Sequence, residues 1–150
     1  MTFRIGLLSL VAVALGCGKA EMPTAATPAI DHDDVAITEA DVKLPATYAD
    51  ALPQIKGYRD TIRDAIEAGT PGKTHRSLDE LDIVLNKLPS IAKGSGIAIE
   101  QWETINMTAR ELRNSFNQLH SAIDDHREPD YKAVAEPIDQ AIAKLERVTQ

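Results

Sequence analysis

Residues 102–124 read WETINMTARELRNSFNQLHSAID. Within them Trp102, Ile105, Ala109, Leu112, Phe116, Leu119 and Ile123 stand alternately three and four places apart. That spacing returns to one side of a helix about once per turn, so the stretch predicts an amphipathic helix with a single apolar flank. A lone helix of this kind is marginal in water and needs partners for its flank.

The neighbouring sequence supplies them. Tyr131, Val134, Ile138, Ala141, Leu145 and Val148 repeat the alternation after it. Before it come Leu78, Leu81, Leu85, Leu88 and Ala92, and earlier a looser set of Tyr48, Leu52, Ile55, Ile62 and Ile66, with Tyr58 near the seam. Gly69-Thr70-Pro71-Gly72, Gly94-Ser95-Gly96 and the run Asp124 to Pro129 mark the breaks. Four striped helices with short connections predict an all-α, up-down-up-down four-helix bundle over residues 46–150. A three-helix body with an extra hairpin is the alternative. Ser77 with Glu80 suggests a capping box and a late start for the second helix. Pro129 suits a first helical position. Pro53, Pro89 and Pro137 fall in or near helices; Pro89 is expected to end or bend the second, and Pro137 to kink the fourth.

Composition narrows the function. The chain has 150 residues and a formal net charge of -7, which disfavours nucleic acid and anionic lipid as partners, since both call for basic faces. Aromatic residues make up 4%, so the core must rest on aliphatic side chains. One cysteine excludes an intramolecular disulfide.

That cysteine sits at the end of a leader. Arg4 precedes an apolar run from Ile5 to Leu15, then Gly16 and Cys17. The run has the length of a secretory signal's apolar region and is too short to span a bilayer, which takes about 20 residues. Ala14-Leu15-Gly16-Cys17 resembles the lipobox of bacterial lipoproteins, with Ala14 where leucine is usual. The resemblance covers the leader alone. It implies that residues 1–16 are removed, that Cys17 is lipidated, and that the mature chain is exported and held firmly, because two or more acyl chains anchor where one does not. Gly18 in the next position favours the outer membrane, facing the periplasm, in a cell with two membranes. Residues 17–45, rich in Ala, Pro, Thr and Asp, then read as a flexible tether, with a short ordered piece from Val35 to Val42.

The chemistry-bearing residues are few. His32 lies in Asp31-His32-Asp33-Asp34 on the tether and reads as solvated linker. His75, His120 and His126 gather at one end of an up-down bundle, because its first and third connections share that end. Asp124, Asp125 and Glu128 lie close by in sequence. Imidazole with carboxylate suits a divalent transition metal such as zinc, copper or nickel. Polar residues at a loop end are the plain alternative, and no resident cofactor is implied. Haem is a weaker alternative: no Cys-x-x-Cys-His motif is present, and Met107, the axial candidate, lies mid-helix off the stripe. Gly72-Lys73-Thr74 imitates the tail of a phosphate loop, but Glu67 stands where its first glycine belongs and no strand precedes it, so nucleotide is excluded. No nucleophile elbow or zincin signature occurs. The adjacent acids Asp79-Glu80 and Asp124-Asp125 read as surface. These readings lead to a membrane-anchored, non-catalytic helical module that binds an envelope protein partner or supports the envelope, with metal binding as the alternative.

Overall fold

The computed structural model describes residues 37–148; the leader, Cys17 and the Asp31-His32-Asp33-Asp34 cluster lie outside the described residues. Four helices form: α1 Tyr48–Glu67, α2 His75–Gly94, α3 Trp102–Asp124 and α4 Tyr131–Arg147. Short 3-10 turns at Glu39–Asp41, Pro71–Thr74 and Ile99–Gln101 precede α1, α2 and α3, and no strand occurs among the described residues.

Cross-links give the helix directions. Lys56 pairs with Glu146 and Arg59 with Asp139, so advancing along α1 means retreating along α4. Arg113 meets Asp82, and His120 faces Asp79, which makes α2 and α3 antiparallel by the same logic. The amide of Tyr48, at the start of α1, donates to Ser95 just beyond the end of α2 at 2.7 Å. Each helix packs on its chain neighbours and α4 closes on α1. The result is the four-helix bundle that the stripes foretold.

The stripes are the core. Ile55, Ile62, Leu81, Leu85, Leu88, Ile105, Leu112, Ile138 and Leu145 are all essentially excluded from solvent. Each fully buried Leu or Ile contributes roughly 1.5–3 kcal/mol. Packing begins ahead of α1: Val42 is buried, and Ile37 and Leu44 lie against the core. The packed body therefore takes in the end of the segment whose composition reads as tether.

Three local expectations are corrected. α2 begins at His75, not near Ser77: the 3-10 turn Pro71–Thr74 runs directly into it, and Glu80 accepts from Tyr58 Oη at 2.9 Å and Arg76 Nε at 2.8 Å instead of closing a capping box. α2 does not stop at Pro89, and α4 runs on through Pro137. A helix-interior proline costs ~3 kcal/mol, but Leu88 and Ala92 flank Pro89, and Ile138, Ala141 and Leu145 follow Pro137, all buried, so their burial outweighs the loss. Pro129 lies outside α4, whose cap is Asp130 accepting from the Ala133 amide at 3.2 Å.

Helices α1, α2 and α3 share one terminating device. Past each end the chain turns through a left-handed residue, Gly69 (φ 69°), Gly96 (φ 76°) and His126 (φ 55°). In each case two backbone amides close back on the last turn, as with His126 N to Ile123 O at 3.0 Å and Arg127 N to Ala122 O at 2.7 Å. No described helix is long and apolar enough to cross a membrane.

Candidate metal centre

The site is built from two helix ends. The turn Pro71–Thr74 runs straight into α2, so His75 is its first residue. Thr74, fully buried, donates its hydroxyl to Pro71 O at 2.6 Å and fixes that entry. Opposite lies the last turn of α3. His120 and Asp124 are four residues apart there, and so share a face. Antiparallel packing of α2 on α3 brings the three side chains together.

Their donor atoms form a nearly equilateral triangle. His75 Nδ1 lies 3.4 Å from His120 Nε2, and Asp124 Oδ1 lies 3.6 Å from each nitrogen. The rings meet edge to face at 5.4 Å between centres and 62° between planes. Zinc holds imidazole nitrogen at about 2.0–2.1 Å, which sets neighbouring ligands of a tetrahedron roughly 3.4 Å apart, against about 2.9 Å for a right-angled pair. The observed edges match the tetrahedral spacing. A shared proton would also hold the histidine pair at 3.4 Å, but both 3.6 Å edges exceed an ordinary hydrogen bond.

The side chains of His75 and His120 are 29% and 26% exposed and that of Asp124 is 56% exposed, so an ion would enter directly from solvent. Asp124 ends α3, whose last turn carries no basic residue, and a cation there would offset the negative end of that helix. The amino end of α2 at His75 acts in the opposite sense with similar size. The local balance is then set by the carboxylates, which attract cations.

The structure brings together three of the six candidates, His75, His120 and Asp124; among the described residues no larger group of possible ligands forms there. Asp125 pairs with Arg127 at 2.9 Å. His126 and Glu128 lie apart from the triangle, in the wall of the groove that His75 and Asp124 also line. His126 stands past the end of α3, in the left-handed position of its terminating turn and outside the helical spacing that His120 and Asp124 share. Met107 is 48% exposed on α3. Gly72, Lys73 and Thr74 form the turn between α1 and α2.

Sequence reasoning missed Asp79. Its Oδ1 lies 3.9 Å from Nδ1 of His120, on the other side of that ring. It stands four residues after His75, and this helical spacing was the available signal. One member of each adjacent acidic pair faces the histidines, and the other, Glu80 or Asp125, makes its own ion pair.

Compared with protein family models, curated proteins and solved structures, the chain matches none.

Proposed function

We propose that this protein is a lipid-anchored envelope module whose helical body binds a divalent transition metal through His75, His120 and Asp124. The observation that carries the reading is the triangle of donor atoms with edges of 3.4, 3.6 and 3.6 Å. Zinc is the ion that these tetrahedral spacings and this imidazole-carboxylate donor set suit best, with copper and nickel next. Three protein ligands leave one coordination position for water or a small ligand.

The leader supports the address. An apolar run ending in Gly16-Cys17 favours export and attachment at Cys17, which would put the ion site outside the cytoplasm. The reading is of a binding protein, since no nucleophile or acid-base motif accompanies the ligands. Calorimetric titration of the purified chain with zinc tests it. One ion per chain at micromolar affinity or better is expected, lost in both His75→Ala and His120→Ala. A flat trace, or binding that survives both substitutions, removes the site.

A further inference from the structure

We infer that Asp79 is a positioning residue: its carboxylate accepts a hydrogen bond from the Nδ1–H of His120 and thereby holds Nε2 as the free, metal-facing nitrogen. The inference deepens the metal reading and rests on it for its purpose, though not for its test.

A neutral imidazole carries one proton, so one ring nitrogen donates and the other accepts. His120 turns Nε2 toward His75 and Asp124. Ligation through Nε2 requires the proton on Nδ1, and that N–H needs an acceptor. Metal-bound histidines almost always give the other N–H to a carboxylate, carbonyl or water, which fixes tautomer and ring orientation.

The surroundings of Nδ1 favour Asp79 for that role, because a carboxylate is a stronger acceptor than the neutral amide oxygen of Asn117. The hollow on this side of the ring is lined by Ile37, Asp79, Asp82, Ile83, Arg113 and Asn117. It holds a second carboxylate, Asp82, but both of its oxygens accept from Arg113, at 2.6 and 2.9 Å. Asp79 is the acid that faces Nδ1, at 3.9 Å. At 3.9 Å the pair stands about 1 Å beyond hydrogen-bond length, and catalytic hydrogen bonds that are long in an empty site commonly tighten once it is filled. α2 would thus supply both a ligand, His75, and one turn later the group that aims the ligand contributed by α3.

The test is two-part and uses the full-length chain. Long-range ¹H–¹⁵N spectra of the metal-free protein report which nitrogen of His120 is protonated, and zinc calorimetry reports affinity. In the native protein His120 should carry its proton on Nδ1. Asp79→Ala should mix the tautomers and weaken zinc binding by roughly 10- to 100-fold. Asp79→Asn, which keeps an acceptor oxygen, should restore the tautomer and most of the affinity. Asp79 is partly exposed, and circular dichroism of both variants checks that the fold is intact. A native His120 protonated on Nε2, or an Asp79→Ala protein with unchanged tautomer and affinity, overturns the inference. If zinc fails to bind but the tautomer still responds to Asp79→Ala, the metal reading falls while the hold of Asp79 on the proton stands.

Discussion

Tyr48, the first residue of α1, donates its hydroxyl to the carbonyl of Leu145 in the last turn of α4, at 3.0 Å and out of contact with solvent. This bond ties the two ends of the bundle's sequence to each other. Tyr48→Phe keeps the ring but removes one of two donors to that carbonyl, which still accepts from the Val148 amide at 3.1 Å, and should cost about 0.5–1.5 kcal/mol in urea denaturation.

The same residue predicts an alkaline limb. Burial disfavours the phenolate and pushes the Tyr48 hydroxyl up to about 12. Above its ordinary value of 10.0, the unfolded chain loses this proton while the folded one keeps it, so stability falls as pH rises from 10 to 12. The loss from this group is about 2–3 kcal/mol. Burial raises Tyr58 and Tyr131 in the same direction. Urea melts at pH 9 and pH 11 should show a drop that is smaller in Tyr48→Phe.

Leu112 and Met107 are five residues apart on α3, with Leu112 fully buried and Met107 48% exposed. Leu112→Ala should cost ~2–5 kcal/mol through lost burial and a cavity. Met107→Ala should change stability by no more than about 0.5 kcal/mol. Equal costs in urea would contradict the assignment of the apolar flank.

Arg113 grips Asp82 with two nitrogens across the α2–α3 contact. Both side chains are about one-third exposed, so water screens the pair and a coupling of roughly 0.5–1 kcal/mol is expected. A double-mutant cycle with Arg113→Ala and Asp82→Ala measures it. Arg113→Lys should fail to restore the coupling, because an ammonium lacks the planar fork.

The stripe of Ile105, Leu112, Phe116 and Leu119 was legible because water exclusion acts on side-chain type, and four such stripes leave one economical packing. The shared end of His75 and His120 was legible too, since it follows from the order of the connections. Which residues face one another was not. Each residue turns the helix by about 100°, so aim depends on where a helix starts and stops. His75 faces α3 because the buried Thr74 and its 3-10 turn start α2 there, two residues ahead of the apparent Ser77 cap. Asp79 is hidden in the sequence because its chain neighbour is Glu80, whereas its neighbour on the helix face is His75.

His126 takes the left-handed position that glycine fills after α1 and α2. A residue with a β-carbon pays roughly 1 kcal/mol there. His126→Gly should therefore stabilise the fold by about that amount in urea, and leave zinc affinity unchanged, since His126 lies outside the donor triangle. A large loss of affinity would instead make His126 a ligand.

The zinc edge in X-ray absorption, read on the metal-loaded full-length chain, addresses the donor triangle itself. The account predicts two imidazole nitrogens and at least one oxygen at about 2.0–2.1 Å, with that shell no longer formed in His120→Gln. A shell of oxygens alone, or an imidazole signal that His120→Gln leaves untouched, would contradict it.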